Sequence, residues 1–380
     1  MGTQAAIGMK LDSARDAKAE ILRKVLEFDT FASLQASDAT TSLFAYRGDV
    51  VSNRFNENRA MQLRDFHSRS LISVGIELAE GRRRDASLVI LCQSRRAFDS
   101  DRADQAIRAA KGEARKVLIG PVRRTVPSRT AADPAGSSSV PLRIGSSIGH
   151  RRVTAGTLGC FVHSAESGIC ALSNNHILAN TNAADLHDAI LSPARKDRGR
   201  DPQDRCGALY SFLPIELDGV SPNRVDCAIA TISNNRSFEP MHLSDPDTGQ
   251  SIGRLSPAVL PAEEALRLPV AKIGRTTGLT VGEVVAIEVD GIRVMMGSNG
   301  YERTALFNGQ MVVASRGSRF SKGGDSGSLI FSHPGEQPVG LLFAGADRPY
   351  GEGFDAPTIA NPMEFVLAEL KCDIFVGAQS

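Results

Sequence analysis

The sequence predicts a mostly β protein, built as a sandwich or as barrels from residue 142 onward, with a small α/β domain in front of it. Short apolar runs broken by Gly, Asn, Pro and Asp recur throughout 142–380. A stretch rich in Pro, Ser and Ala with no apolar period fills 125–141 and indicates a flexible linker. We therefore expect an amino-terminal domain over 1–124, a linker, and a second domain over 142–380.

Helical and strand-like patterns alternate in the amino-terminal domain. Residues 12–29 carry an amphipathic helical period formed by Ala17, Ile21, Leu22, Val25 and Leu26. The runs ISVGIELA and ASLVILCQ, joined by the solvated turn EGRRRD, predict a hairpin. A helix over DRADQAIRAAKGEARK then begins after the capping residue Ser100 and leads into VLIGPV. Residues 30–70 show no period that assigns a structure.

The end of the chain predicts one more helix. Asn361 and Pro362 introduce MEFVLAEL, in which Phe365, Val366 and Leu370 share one helical face. We expect this face to pack onto the β structure.

Charge and cysteine content narrow the functional classes. The 380 residues hold 44 basic and 43 acidic side chains, so a net charge of +1 gives no field that would attract nucleic acid or anionic lipid. No apolar stretch has the length of a membrane span, and charges interrupt the first residues, so we expect a cytoplasmic protein. Six cysteines are too sparse for a disulfide scaffold and are expected as free thiols, with one Cys160–Cys170 bridge as the alternative.

The segment SKGGDSGSLIF predicts a catalytic nucleophile at Ser326. A serine hydroxyl needs an adjacent base and donors for the oxyanion that its attack creates. Glycines around it allow backbone turns that other residues disfavour, so the amides of Gly324 and Ser326 can point at one site. These two amides are the predicted oxyanion hole.

His176 and Asp226 are the predicted partners of this serine. Among seven histidines only His176 directly follows an apolar strand, in ICALSNNHIL. Asp226 stands immediately before the apolar run CAIATI, whereas Asp185 and Asp188 lie in a polar loop. An aspartate in that position can orient the imidazole and stabilise its protonated form.

The order His176, Asp226, Ser326 resembles that of the chymotrypsin or trypsin-like serine peptidases. The segments SIGHRRVTAGTLGCFV, SNNHILA, KIGRTTGLTVGEVVAI and GDSGSLIF are similar to those of a prokaryotic subgroup with a small amino-terminal α/β domain. The resemblance implies an all-β fold of two six-stranded antiparallel barrels with the triad between them, no cofactor and no metal. It also implies an endopeptidase acting on protein or peptide substrates. Because the linker is flexible and no activation cleavage signature stands out, we expect regulation by the amino-terminal domain or by a protein partner bound to residues 1–124, and from charge and composition no role for nucleic acid or membrane.

Three features test how far the resemblance extends. Family members that are activated by cleavage pair a new amino terminus with the aspartate before the nucleophile, here Asp325, which must find another cation or donor. The substrate pocket would be formed by Phe320, six residues before Ser326, with Ala344 and Gly345; the alternative for Phe320 is a core aromatic. The segment GRTTG, residues 274–278, is interpreted as a turn before a strand.

Two other functions share these sequence features. The barrels could serve as a peptide-binding scaffold whose turnover is vestigial, although no required residue type is missing. An esterase or another acyl hydrolase would use the same three residues on a different substrate.

Overall fold

The computed structural model describes residues 9–26, 71–79, 85–124, 140–245, 248–296 and 303–377. The amino-terminal elements are α1 (Leu11–Lys24), β1 (Ile72–Leu78), β2 (Ala86–Cys92), α2 (Arg95–Phe98), α3 (Asp101–Ala109), β3 (Ala114–Leu118) and β4 (Val122–Arg123). Next come β5 (Leu142–Arg143), β6 (Ser147–His150), β7 (Gly156–Thr157), β8 (Cys160–Ser164), β9 (Gly168–Ser173), α4 (Asn175–Leu178), β10 (Ala189–Leu191), β11 (Arg205–Phe212), β12 (Asp218–Asn223) and β13 (Ala228–Ile232).

The remaining elements complete the second half of the fold. They are β14 (Phe238–Glu239), β15 (His242–Ser244), β16 (Ser251–Arg254), α5 (Ala262–Ala265), β17 (Pro269–Gly274), β18 (Gly278–Asp290), β19 (Ile292–Met296), β20 (Arg303–Phe307), β21 (Gln310–Ala314), β22 (Leu329–Ser332), β23 (Pro338–Ala346), β24 (Thr358–Pro362), α6 (Met363–Leu370) and β25 (Cys372–Ile374). None of the helices in the described ranges has the length and apolar character needed to cross a bilayer.

Six antiparallel strands close into a barrel in the second half of the chain. The ring runs β17–β18–β21–β24–β23–β22 and returns to β17. Its strands are almost continuously buried, as the runs QMVVA and LIFS show, because one face fills the barrel and the other packs against further elements. The second barrel is thus as the family resemblance implies.

The first half forms an open sheet in which eight strands lie in the order β25–β8–β9–β13–β11–β10–β6–β7. This is a half-barrel rather than the closed six-stranded barrel that the resemblance implies. The prediction of a chymotrypsin-like double-barrel fold is confirmed at the level of architecture, with one barrel closed and one partly open. The carboxy-terminal α6 is confirmed as well, since Val366 and Leu370 are buried against the core.

The amino-terminal elements extend the second sheet. β1 and β2 form the predicted hairpin, with Ile72 opposite Cys92 and Leu78 opposite Ala86, and β1 pairs with β18 on its other edge. The turn EGRRRD lies largely outside the described residues. α1 and α3 pack on this hairpin, and Ala14, Ile76 and Ala103 share a core with Val284 and Phe320 of the second half. The apolar core is therefore continuous across the proposed domain boundary.

One predicted element differs from the structure. The helix expected over 101–116 ends at Ala109, and residues 114–118 form β3, parallel to β2. Gly112 has a φ of +86°, a left-handed conformation that stops a helix and that glycine adopts readily. The predicted capping is present, since Ser100 Oγ accepts the Ala103 amide at 3.2 Å.

Candidate active site

His176 lies in the single helical turn α4, just after the end of β9. Two buried asparagines hold this turn in place. The Asn174 side-chain amide donates to the Asp226 carbonyl at 2.8 Å, and the Asn175 amide donates to the Leu213 carbonyl at 2.6 Å. In the structure they fix the backbone on both sides of His176.

The His176 imidazole is paired with the Asp226 carboxylate in a buried site. Nδ1 lies 2.5 Å from Asp226 Oδ2, and the His176 backbone amide donates to Asp226 Oδ1 at 3.2 Å. Because a carboxylate can only accept, Nδ1 carries the proton and Nε2 is left as the basic atom. The structure therefore places these two predicted residues in the relative geometry that a base and its orienting acid require.

A second layer of side chains holds Asp226. Its backbone amide donates to Asn361 Oδ1 at 2.8 Å, and the Asn361 amide donates to Gln310 Oε1 at 2.7 Å. Gln310 in turn donates to the Arg224 carbonyl at 2.8 Å. Asn361 was predicted only as the residue that introduces the last helix, so its link to Asp226, 135 residues away, was not predicted.

Burial lowers the pKa of His176, the Asp226 carboxylate acts in the opposite direction, and the positive charge of Arg124 lowers that pKa further. The imidazole is consequently neutral at pH 7. Nε2 is buried and makes no hydrogen bond to any described residue. A neutral imidazole with a free Nε2 is the form of histidine that can accept a proton.

Ser326 lies in a tight turn packed against the segment that carries His176. Thr157 donates its amide to the Ser326 carbonyl at 2.8 Å, and Ser173 Oγ donates to the Thr157 carbonyl at 2.7 Å. Gly327 has a φ of +91°, and a Cβ there would lie 2.0 Å from Ser173 Oγ. Ser173 precedes His176 by three residues, so the turn and the histidine segment meet. No hydrogen bond joins His176 Nε2 to Ser326.

The amides predicted to form an oxyanion hole are free of internal acceptors. Gly324 has a φ of +100°, which a residue with a Cβ rarely adopts. In the described part of the chain, the backbone N–H groups of Gly324 and Ser326 donate to no protein acceptor. Both donors are thus available to an oxygen atom placed beside Ser326.

Asp325 finds its partners within the chain. Oδ1 accepts the amides of Thr276 and Thr277 at 2.9 and 3.2 Å, while Oδ2 accepts the Thr277 hydroxyl at 2.7 Å and the Lys322 amide at 2.9 Å. The Lys272 ammonium lies 3.6 Å from Oδ2, and both side chains are fully buried. Burial lowers the pKa of Lys272, and Asp325 opposes this effect. The partner of Asp325 was not predicted, although a lysine within the apolar run PVAKIG is a sequence feature that could have indicated it.

The three predicted pocket residues lie in different environments. Phe320 is fully buried among core residues such as Val284 and Ile330, with the Lys272 ammonium 5.9 Å from its ring centroid. It therefore has the core position that was the alternative to a pocket role. Ala344 is also buried, whereas Gly345 is partly exposed on β23.

The β4 strand lies along β23 beside the site. Arg123 is opposite Gly345 and Val122 is opposite Ala346 in an antiparallel pair, and β4 also runs parallel to β19. Arg124 follows directly, and burial lowers its pKa while the charge of Asp226 raises it. The guanidinium of Arg124 is thus close enough to act electrostatically on both His176 and Asp226.

All six cysteines are free and buried, as expected for thiols. Cys160 lies opposite Leu172, and Cys170 lies opposite Val162, so the two cysteines are not directly paired across the β8–β9 hairpin. Burial raises the pKa of the Cys160 thiol above its ordinary range, which makes it a poor nucleophile.

No family model and no curated protein matches the chain. Among solved structures it is similar to Thermobifida fusca protease A, with 15% identity and a TM-score of 0.40 over 63% of this chain and 100% of that one. It is also similar to Cellulomonas bogoriensis chymotrypsin, with 13% identity and a TM-score of 0.39 over 62% of this chain and 100% of the other. A glutamic-acid-specific serine protease matches with 15% identity and a TM-score of 0.40 over the same shares of the two chains, 62% and 100%.

Proposed function

We propose that this chain is a serine endopeptidase that acts through Ser326, His176 and Asp226. The observation that carries the proposal is the buried His176–Asp226 pair, with a free Nε2, beside the turn that holds Ser326 and two unpaired amide donors. Nucleophile, base, orienting acid and oxyanion donors are the four elements that acyl transfer at neutral pH requires.

The chemistry proceeds in two steps. His176 Nε2 removes the proton of Ser326 Oγ as that oxygen bonds to the substrate carbonyl carbon, and the Gly324 and Ser326 amides stabilise the negative oxygen. The C–N bond then breaks and His176 returns the proton to the leaving amine. In the second step His176 Nε2 removes a proton from water as the water oxygen bonds to the ester carbonyl carbon, the bond from that carbon to Ser326 Oγ breaks, and His176 returns the proton to Ser326 Oγ, which releases the acid.

Cleavage of a peptide library tests this function. The full-length protein is incubated with mixed peptides, and new termini are identified by mass spectrometry. We expect internal cleavages with wild type, none with Ser326→Ala, and a loss of about 10⁴-fold with Asp226→Asn, because the wrong imidazole tautomer is then held. Cleavages that persist in Ser326→Ala would assign the activity to a different group or to a contaminant.

A peptide-binding protein without turnover is the second candidate. It is favoured by one observation, the missing hydrogen bond between His176 Nε2 and Ser326. Binding of peptides by both wild type and Ser326→Ala with equal affinity, and no cleavage by either, would support this candidate.

We propose further that the amino-terminal segment regulates the peptidase by occupying β23. β4 pairs with the part of β23 that contains Gly345, so a substrate strand cannot add to that edge while β4 is there. The charge of Arg124 beside the His176–Asp226 pair supports this interpretation. Release of β4, by a protein partner of residues 1–124 for example, would open the site.

Val122→Asp is designed to release β4. Val122 is 1% exposed in a core that includes Phe343 and Ala346, so a carboxylate there cannot stay buried without a partner. We expect faster peptide cleavage than wild type. Arg123→Ala is the matched control, because that side chain is about half exposed and should leave the rate unchanged. Equal rates for Val122→Asp and wild type, with both folded by circular dichroism, would rule out this form of regulation.

A further inference from the structure

Arg275 of the GRTTG turn forms a buried ion pair with Asp197 that joins the two halves of the fold. Arg275 follows β17, and its Nε donates to Asp197 Oδ2 at 2.9 Å while a second guanidinium nitrogen contacts Oδ1. Asp197 lies after β10 in the first half, and it also accepts the Ser147 hydroxyl at 2.5 Å. The side chains of Arg275 and Asp197 are 1% and 3% exposed. Such a pair holds the guanidinium in one orientation.

Arg275 reaches the nucleophile turn through two threonine hydroxyls. Its Nη1 donates to Thr276 Oγ1 at 3.0 Å, and its backbone amide donates to Thr157 Oγ1 at 3.2 Å. Thr276 Oγ1 donates to the Gly323 carbonyl at 2.8 Å, and Thr157 Oγ1 donates to the Gly324 carbonyl at 2.9 Å. A hydroxyl has one hydrogen, so a bond accepted from Arg275 leaves that hydrogen for the carbonyl.

The Gly323 carbonyl determines where the Gly324 amide points. In a planar trans peptide the C=O of one residue and the N–H of the next point in opposite directions. A peptide between two glycines can rotate at little intrinsic cost, because neither residue has a Cβ. A bond that fixes the Gly323 oxygen therefore also fixes the Gly324 N–H, one of the two oxyanion donors.

We propose that Asp197 and Arg275 are positioning residues for the oxyanion hole, acting through Thr276 on the Gly323–Gly324 peptide. This inference rests on the proposed serine peptidase function. Without the Thr276 hydroxyl the peptide would sample the flipped orientation, in which a carbonyl rather than an N–H faces the developing oxyanion. Thr157, which belongs to the first half of the fold, restrains the same turn by donating its hydroxyl to the Gly324 carbonyl.

Thr276→Val tests the inference with little change of shape or charge. The Thr276 backbone amide keeps its bond to Asp325, and only the hydroxyl is lost. The readout is the rate of fluorophosphonate labelling of Ser326, resolved into a binding constant and a maximal rate. Loss of one oxyanion donor costs about 10²- to 10³-fold, so partial flipping should lower the maximal rate by about 10- to 100-fold with the binding constant little changed.

Three controls separate positioning from general damage. Thr276→Ser keeps the hydroxyl and should restore the wild-type rate, while Thr231→Val removes a threonine bond to the Ala208 carbonyl between β13 and β11, neither of which belongs to the nucleophile turn, and should have no effect. In Thr276→Val the midpoint of the acid limb of the pH–rate profile, which His176 determines, should equal that of wild type, while the plateau rate should be lower. A wild-type rate in folded Thr276→Val would overturn the inference, whereas a wild type and a Val122→Asp variant that both stay unlabelled would instead overturn the proposed function.

If Thr276→Val does not fold, Arg275→Lys provides the same test. Lysine keeps the positive charge beside Asp197 but cannot bond Asp197 and Thr276 together with the fixed geometry of a guanidinium. We expect a fall in the maximal labelling rate in the same direction. An unchanged rate in this variant would also contradict the inference.

Discussion

The chemistry depends on individual residues whose polar groups are buried and nearly all satisfied. Asp226 is held by His176, Asn174 and Asn361, and Asp325 by two threonines and a lysine. Buried polar atoms without partners cost free energy. His176 Nε2 is among the buried side-chain atoms of the described residues that have no partner, and its pairing with Asp226 through Nδ1 leaves it as the basic atom of the site.

Arg124→Gln should change the pH dependence of the reaction. Arg124 lowers the pKa of His176, because a nearby positive charge disfavours protonation of the imidazole. Removing that charge raises the pKa, so neutral His176 is lost at a higher pH as the solution is acidified. We expect the midpoint of the acid limb of kcat/KM to move to higher pH. A shift to lower pH would contradict the placement of Arg124.

Lys272→Met should destabilise the protein. The substitution leaves the fully buried Asp325 carboxylate without its cation, and breaking a buried ion pair typically costs about 3–5 kcal/mol. The free energy of unfolding in urea measures the effect. Lys322→Met is the control, since the Lys322 side chain is exposed and only its backbone contacts Asp325, and it should cost less than about 0.5 kcal/mol.

The sequence pointed to candidate site residues where the local pattern itself carries the signal. His176 follows a strand pattern, Asp226 and Ser326 each precede one, and the glycines around Ser326 mark the turn. The supporting residues Asn361, Gln310 and Arg275 act across long sequence separations, and a polar residue far away in the chain gives no local sign of its partner. Phe320 had two interpretations, because an apolar aromatic can line a pocket or fill a core.

At the scale of elements, pairing across the proposed domain boundary connects the amino-terminal segment to the barrel. β1 joins β18, and β4 lies between β19 and β23. The sequence indicated these strands, but periodicity contains no information on which distant strand each one meets. The helix predicted through residue 116 failed for a related reason, since tertiary pairing of β3 with β2 overrides local helix propensity.

Ile76→Ala tests whether this pairing makes the two segments unfold together. Ile76 is fully buried and lies opposite both Leu88 of β2 and Ile287 of β18. An Ile→Ala change in a core costs about 2–5 kcal/mol, and we expect the single unfolding transition of the whole protein to move by that amount. Two transitions, of which only one moves, would show that residues 1–124 unfold independently.

On the scale of the whole molecule, the fold brings a closed barrel and a half-barrel together at the His176 and Ser326 segments. The amino-terminal hairpin and β4 extend the same sheet. The recurrence of short apolar runs predicted a β fold of this class. The open edge of the first sheet and the continuity of the core depend instead on contacts between distant segments, which the sequence pattern does not show. Through these contacts β4 lies along β23, and Arg124 lies close enough to His176 to lower its pKa.

Labelling by a fluorophosphonate probe, followed by intact mass, tests the central proposal that Ser326 is an activated nucleophile. Wild type, Val122→Asp, Ser326→Ala and His176→Ala are compared at pH 7. We expect one adduct per chain on wild type and on Val122→Asp, formed faster on the latter, and none on Ser326→Ala or His176→Ala. Folded wild type and Val122→Asp that both remain unmodified, or an adduct that persists in Ser326→Ala, would contradict the proposed catalytic site.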